Sequence, residues 1–262
     1  MRVRRIGSRD NAEFKALRAL ADDPREVRRQ GRTLADGPHL VALCLRHARP
    51  SRVLVAEGAR ESPEVAQLLA AAADIERIEL TDALFRAISP VASPTGIAAV
   101  FVPPLAAEGI PGGDAVLLDA VQDPGNVGAI LRSAAAAGVG NVVLGRGCAG
   151  AWTPRVLRAA QGAHFHLRIR EQVDLGEWLA VAPVAVVATL PRAARTLFDL
   201  DLRPPTWWLF GNEGAGVAPE LAAHARTSVS IPLAAESESL NVAAAAAVCL
   251  FEMRRQRLGV AG

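Results

Sequence analysis

The chain has 262 residues, of which 51% are hydrophobic and 21% are charged, with 29 Lys and Arg against 27 Asp and Glu. That length suffices for one large α/β domain or two smaller ones, and the composition is that of an ordinary globular protein. The longest apolar runs are broken by Gly, Pro or Arg, which predicts no membrane span. The basic N-terminus lacks the apolar run of a secretory signal and the three cysteines are widely separated, so we expect a cytoplasmic protein.

The net charge of +2 conceals an uneven distribution of charge. Residues 1–49 contain twelve Lys and Arg but only six Asp and Glu. Such an excess is compatible with a nucleic-acid contact and equally with the solvated face of surface helices. Charge alone does not separate these two interpretations.

Strands and helices alternate through the first hundred residues, which predicts a compact parallel or mixed α/β unit. Helices are expected within 10–30, after Ser62-Pro63 and after Thr81, because short polar residues cap helices and Pro suits the first turn. The other predicted elements are a strand and a helix in GRTLADGPHLVALCLRHA and strands in RVLVAE, IERIEL and GIAAVFV.

The stretch 103–114 is rich in Pro and Gly and has no periodicity, so we expect a linker there. The predicted division is an N-terminal domain over 1–105, a linker over 106–113 and a second domain over 114–262. Renewed alternation in the second domain predicts a doubly wound parallel sheet that binds ligands at the carboxyl ends of its strands. Its predicted strands are AVLLDAV, NVVLG, HFHLRIR, VAVVATL, TWWLFG and SVSIPL, and a last helix is expected from about 241 to 257.

The first junction with possible chemistry is the turn DPGN (123–126), which leads into an alanine-rich helix. Asn126 is suited to cap that helix. Val127, Ile130, Leu131 and Ala134 would form its buried face, with Arg132 about 140° from Val127 and therefore outside that face. Arg132 is either a site residue or an ordinary surface charge.

Two further strand-to-helix junctions follow. In GNEGAG (211–216) three glycines would let a ligand approach the backbone, and Glu213 would bind a polar group or remain solvated. After Ile231-Pro232, an acidic loop leads to Ser239 and Asn241, which would cap the last helix. Capping explains each residue separately, but it does not explain three such junctions in one domain. His164 and His166 lack a further ligand, so no metal site is predicted.

Together, DPGNVGAILRSA, LFGNEGAGV and IPLAAESESLNVAAAAAVCLFE resemble the three motifs of the SpoU (TrmH) family of RNA ribose 2′-O-methyltransferases. TPRVLRAAQGAHFHLRI is similar to the segment between the family's first two motifs. The N-terminal part resembles the small substrate-binding domain of the rRNA-modifying branch. The resemblance implies a catalytic α/β sheet with a deep trefoil knot, S-adenosylmethionine (SAM) as cofactor, and a site completed across a homodimer interface.

By this resemblance, Arg132 matches the family's essential arginine and Asn126 the asparagine of the first motif. Glu213, Ser239 and Asn241 match polar positions that orient the RNA or the arginine. Positions that contact the cofactor are matched by Thr189, Gly211, Ile231 and Leu240. Because an arginine is essentially always protonated, our hypothesis is that Arg132 stabilises developing alkoxide charge rather than acting as a base.

The expected substrate is RNA, with 23S ribosomal RNA favoured over tRNA. Two positions depart from the family pattern: Asp36 stands where a glutamate is commoner, and Ala234-Ala235 where a glycine is commoner. Two other classes remain open. A nucleotide-binding oxidoreductase would use a similar sheet, although the dinucleotide fingerprint is missing, and an RNA-binding module could have kept the scaffold without catalysis.

Overall fold

The computed structural model describes residues 3–105, 109–234 and 238–258. The chain forms two compact units. The first contains the residues up to Leu105 together with Trp152–Phe165, and the second contains Ala106–Ala151 with the residues from His166 onward. The predicted linker at 106–113 therefore separates the two units except for one segment, Trp152–Phe165, which follows the linker in sequence but packs with the first unit.

The first unit contains a five-stranded mixed sheet in the order β1-β4-β3-β5-β2. Strands β1, β4 and β3 are parallel, and β5 is antiparallel to both β3 and β2. The strands are β1 (Val3–Ile6), β2 (Thr33–Asp36), β3 (Arg52–Ala56), β4 (Glu76–Leu80) and β5 (Ile97–Phe101), and the helices are α1 (Ala12–Asp22), α2 (Pro24–Gln30), α3 (Pro38–His47), α4 (Pro63–Ala71) and α5 (Asp82–Ile88).

The sequence patterns explain most of these elements. Thr81 caps α5 by accepting a hydrogen bond from Leu84 N, as predicted, whereas the side chain of Ser62 makes no capping bond to α4. Strand β1 was not predicted. Its residues read VRRI, and only Ile6 is buried, so they lack the alternation by which a strand is recognised.

The segment Trp152–Phe165, which contains α7 (Pro154–Ala159), is attached to β2 by two polar contacts. The Thr33 hydroxyl donates to the carbonyl of Trp152 at 2.6 Å, and Arg158 Nη1 donates to the buried Asp36 carboxylate at 3.3 Å. The Phe101 ring packs against the rings of Trp152 and Phe165, with centroids 6.2 and 5.8 Å away. Both polar and apolar contacts thus bind this segment into the first unit.

The second unit contains a seven-stranded, wholly parallel sheet in the order β10-β12-β9-β11-β6-β7-β8. The parallel sheet predicted for this region is confirmed. Its strands are β6 (Ala115–Leu118), β7 (Asn141–Gly145), β8 (Arg168–Val173), β9 (Ala185–Thr189), β10 (Arg195–Thr196), β11 (Thr206–Phe210) and β12 (Thr227–Ser230), and its helices are α6 (Pro124–Ala137), α8 (Leu175–Ala180), α9 (Pro219–Ala222) and α10 (Val242–Leu258).

The core of this unit surrounds the central strand β11, on which all five residues are buried. Trp207 and Trp208 on adjacent positions point to opposite faces of the sheet, and each indole N–H finds an acceptor: the carbonyl of Gly113 and the sulfur of Met253. Helix α6 packs against α10, with Val127, Ile130, Leu131 and Ala134 buried as predicted.

Two further local predictions, at α6 and at β8, are wrong. Asp123, rather than Asn126, is the N-cap of α6; its carboxylate accepts from Asn126 N at 2.8 Å because the helix starts at Pro124, three residues earlier than a cap at Asn126 would place it. The stretch HFHLRIR is not one strand, since residues Ala163–His166 form a 3₁₀ turn and β8 begins only at Arg168. His164 and His166 therefore do not alternate along a strand.

In the part of the chain that the structure describes, no helix is long and apolar enough to cross a membrane.

Candidate active site

A cleft opens at the carboxyl ends of β9, β11 and β12, where the edge of a parallel sheet is expected to bind ligands. Its empty volume is about 810 Å³, which includes open solvent at the mouth. The chain segments after these three strands come from distant parts of the sequence. The cleft lining includes all four predicted cofactor positions, Thr189, Gly211, Ile231 and Leu240, together with Glu213 and Ser239.

The turn after β11 has a geometry that only glycine permits at its start. A Cβ at Gly211 would overlap the backbone of Gly216 and Val217, and Gly216 itself has a φ of +73°. Asn212 fixes the turn, because its Oδ1 accepts from Gly214 N and Ala215 N while its Nδ2 donates to the carbonyl of Ala120 at 2.8 Å. Asn212 was not predicted to be a site residue, although its place directly after Gly211, at the end of a buried strand, was a usable signal.

The backbone of the cleft is available to a ligand. The main-chain N–H and C=O groups of Gly211, Ile231 and Leu240 make no hydrogen bond to another described residue. Apolar side chains of Leu190, Val229 and Leu233 lie beside them. Free amide groups between apolar walls suit the edges and faces of an adenine ring, so the residues present fit SAM.

Polar side chains from the three junctions form one chain of hydrogen bonds at the mouth of this cleft. Glu213 Oε1 accepts from Asn126 Nδ2 at 3.0 Å, and Asn126 Oδ1 accepts from Asn241 Nδ2 at 2.9 Å. Asn241 Oδ1 then accepts from the backbone of Ala243 at 2.9 Å, which confirms its predicted capping of α10. The three junctions are thus brought together through Glu213, Asn126 and Asn241.

Glu213 also binds the backbone of the first junction. Its two carboxylate oxygens accept from Asp123 N at 3.2 Å and from Gln122 N at 3.3 Å. Partial burial raises the pKa of Glu213, but the hydrogen bonds from Asn126 and these backbone groups outweigh it, so the pKa lies below its ordinary value. Glu213 is therefore an ionised acceptor that joins two junctions, and its oxygens are already occupied.

Arg132 and Ser239 do not join this network. Arg132 is exposed on α6, about 240° around the helix from Asn126, and its guanidinium makes no hydrogen bond or ion pair with any described residue. It does not line the cleft of its own chain. Ser239 is exposed at the cleft, and its side chain bonds to no residue within the described ranges, so the prediction that it caps α10 is wrong.

No group of three or more His, Cys, Asp or Glu side chains within residues 3–105, 109–234 and 238–258 could hold a metal ion. The apolar cleft lies at the carboxyl edge of a parallel sheet, offers free backbone groups and has a polar network at its mouth. These features are those of an enzyme that binds a cofactor. Residues 114–251 match the model of the SpoU rRNA Methylase family, and residues 11–99 match that of the MRM3-like substrate binding domain. The chain belongs to the SpoU family of RNA 2′-O-ribose methyltransferases.

Individual relatives extend over nearly the whole chain. The 23S rRNA (uridine(2479)-2′-O)-methyltransferase of Streptomyces viridochromogenes is 32% identical over 98% of this chain and 93% of its own length. The Bacillus subtilis 23S rRNA (guanosine(2553)-2′-O)-methyltransferase RlmP is also 32% identical, over 96% of this chain and all of its own.

Solved structures agree with these relatives. The SpoU methyltransferase AviRb of Streptomyces viridochromogenes, in complex with AdoMet, superposes with a TM-score of 0.86 at 28% identity, over 95% of this chain and 98% of its own. An AdoMet-bound rRNA methyltransferase of Sinorhizobium meliloti gives a TM-score of 0.82 at 28% identity, over 97% and 98% of the two chains.

Proposed function

We propose that this chain transfers a methyl group from SAM to a ribose 2′-hydroxyl of 23S ribosomal RNA in the cytoplasm. The observation that carries the proposal is the network of Glu213, Asn126 and Asn241, which holds three distant segments around a cleft with free backbone groups. Relatives that match over most of both chains act on 23S rRNA by name. The N-terminal region over 1–105 would hold the RNA, the region over 114–262 would catalyse, and 106–113 would link them.

When bound, SAM would supply an electrophilic methyl group, to whose carbon the ribose oxygen bonds as the carbon–sulfur bond breaks and a neutral thioether leaves. The residues of the chain prepare the two partners. Backbone groups of Gly211, Ile231 and Leu240 would bind the adenosine part, with Thr189 at the wall of the cleft. Ser239 would orient the ribose at the mouth, Asn126 and Asn241 would shape the site around it, and Glu213 would keep Asn126 in place.

Arg132 is assigned an electrostatic role. An arginine stays protonated at any physiological pH, so it is suited to binding the phosphate next to the target ribose and stabilising the alkoxide as the hydroxyl loses its proton. That proton would pass to the phosphate. The freedom of the Arg132 guanidinium from any described partner supports this assignment.

The site is proposed to be completed in a homodimer. Helix α10, which packs against the Arg132-bearing helix α6, has an exposed stripe at helical spacing: Ala244, Val248 and Phe251, the last two with 37% and 47% exposure. A second copy covering this stripe would bury it, and would place Arg132 of one copy at the cleft of the other. This arrangement would explain why Arg132 is absent from the cleft of its own chain.

A trefoil knot is also proposed, supported by the register of three strands. Thr189 at the end of β9 and Arg195 at the start of β10 both pair with Val229 of β12, from opposite sides. The five residues 190–194 therefore pass from one side of β12 to the other. The chain that follows β12 would leave through the loop that these residues close.

The experiment that tests the function is methyl transfer from tritium-labelled SAM to 23S rRNA and tRNA transcripts. The site is then located by mapping 2′-O-methyl groups in cells with and without the protein. We expect label in 23S rRNA at one ribose that is unmethylated in the deletion strain. Label confined to tRNA would show that tRNA, not 23S rRNA, is the substrate. SAM binding by calorimetry without any methylated RNA would favour an RNA-binding module.

A further inference from the structure

An exposed aromatic ring follows two exposed arginines within a short stretch of chain beside the cofactor cleft. Phe198 is 57% exposed, and it is one of two phenylalanines exposed among the described residues, the other being Phe251 on α10. Phe198 belongs to the 3₁₀ turn Leu197–Asp199, in which Leu197 is wholly buried. The turn is thus anchored in the core and presents its second residue to solvent.

Arg192 and Arg195, a few residues earlier, are both exposed. Within the described parts of the chain neither guanidinium forms a hydrogen bond or an ion pair. The Asp199 carboxylate accepts from the Thr196 N–H at 3.0 Å and the Thr196 hydroxyl at 2.8 Å, and the charge of Arg195 adds to these bonds in lowering the Asp199 pKa without an ion pair in contact. We call Arg192, Arg195 and Phe198 the β10 flank.

The register of the sheet places the β10 flank next to the cleft. Strand β10 is the edge strand, parallel to β12, with Arg195 opposite Val229 and Thr196 opposite Ser230. The chain therefore leaves β10 towards Phe198 at the same end of the sheet at which β12 continues into Ile231. Val229 and Ile231 line the cleft, and so does Pro191, the residue before Arg192. The β10 flank is continuous with the cleft wall.

We propose that the β10 flank is a second RNA contact, in which Phe198 stacks on an unpaired base near the target ribose while Arg192 and Arg195 bind the flanking phosphates. This inference rests on the proposed function. Proteins bind unstacked RNA by combining aromatic stacking on the bases with charged contacts to the backbone, and the β10 flank offers both an exposed ring and exposed cations. An RNA strand that delivers a ribose to the cleft must run past its walls, and the β10 flank adjoins the wall that contains Pro191.

The test is the affinity for a fluorescent 23S rRNA fragment that contains the mapped target, measured by anisotropy with the full-length protein. Phe198→Ala is expected to weaken binding about tenfold, and Phe198→Trp to restore it. Removing both charges, in Arg192→Gln with Arg195→Gln, should lower the slope of log affinity against log salt by about 1.4, the value for two phosphates of a single strand.

Matched controls are Val181→Ala, which shortens another apolar side chain of 58% exposure, and Arg203→Gln, which removes an exposed arginine that is paired with Asp201. Both should bind RNA as the wild type does, and every variant should keep its SAM affinity by calorimetry. Unchanged RNA affinity in Phe198→Ala, or losses as large in the controls, would overturn the inference. Methylation by the wild type tests the proposed function separately, and a wild type that binds no RNA would contradict both.

Discussion

At the scale of the residue, the site separates side chains that hold the structure from those that are free to act. Glu213, Asn126 and Asn241 form hydrogen bonds with one another and with backbone atoms, at distances of 2.9 to 3.3 Å. Arg132 forms no hydrogen bond with any residue the structure describes. A positioning role therefore fits the first three, and direct contact with the reacting groups fits the arginine.

Arg132→Lys keeps the charge but removes the forked donor geometry. We expect kcat to fall by about 10²-fold, the order seen when one donor to a developing oxyanion is lost, with unchanged SAM affinity. Tritium transfer under single-turnover conditions measures the first quantity and calorimetry the second. Full activity in the lysine variant would show that the guanidinium fork is dispensable. Arg146→Lys, on an exposed arginine outside the cleft lining, is the matched control.

Glu213→Gln removes the charge from the acceptor of two backbone N–H groups. We expect kcat/KM to fall about tenfold, because the Asn126 amide loses its fixed orientation. Since the pKa of Glu213 is below its ordinary 4.5, the carboxylate is ionised at neutral pH. Its contribution to stability is complete above that value and is lost as the pH falls through the lower folded-state pKa.

The pH dependence of the wild type and of Glu213→Gln should therefore have the same shape between pH 6 and 9. A titration in that range that disappears in the variant would instead make Glu213 an acid or base in the reaction. Glu220→Gln, another exposed glutamate, controls for the loss of one surface charge.

At the scale of the element, the informative feature is the segment Trp152–Phe165, which follows the first motif in sequence but packs with the first unit. Its helix α7 is attached through Arg158 to Asp36, a carboxylate whose side chain is only 5% exposed. Burial raises the pKa of Asp36, while Ser89 and Arg158 oppose that shift. The aspartate at this departure from the family pattern thus serves the packing of α7.

Arg158→Ala would leave the buried Asp36 carboxylate without its counter-charge. We expect the free energy of unfolding to fall by about 2 kcal/mol, below the range for fully buried pairs because Arg158 is partly exposed. Denaturant titration measures it, and adding Asp36→Asn should recover part of the loss. A double variant that simply sums the two single losses would show that the residues do not interact. Arg18→Ala, in an exposed pair with Asp22, serves as the control.

At the scale of the whole molecule, the question is whether one copy holds a complete site. Within one chain the cleft and Arg132 are separate, and the proposed dimer would join them. Two inactive variants can test this: Arg132→Ala, which keeps the cleft, and Ile231→Trp, which fills it. If sites are shared between copies, co-refolded mixtures should regain about a quarter of wild-type activity, because half of the dimers are mixed and each has one intact site.

If each site lies within one chain, every site in the mixture carries one defect and no activity returns. Sedimentation of the mixture checks that dimers are present. Calorimetry checks that Ile231→Trp alone has lost SAM binding while Arg132→Ala has kept it. A fully active monomer in sedimentation would contradict the shared site directly.

The sequence by itself determined most of the local elements and the residue types that stand at the three junctions. Proline, glycine and capping residues act over a few positions, so the start of α5, the buried face of α6 and the cap of α10 could be inferred from their neighbours. The cap of α6 was misplaced because both Asp123 and Asn126 can cap a helix. Only the backbone path chooses between them.

Tertiary structure decided which distant residues meet. Nothing within DPGN shows that Asn126 lies 3.0 Å from Glu213, or that Asn241 bonds to the same amide. The strand order that places β12 between β9 and β10 likewise has no local signal, and neither does the packing of α7 on β2. These contacts depend on the burial of whole faces of helices and sheets, a property of the assembled chain that no short stretch of sequence contains.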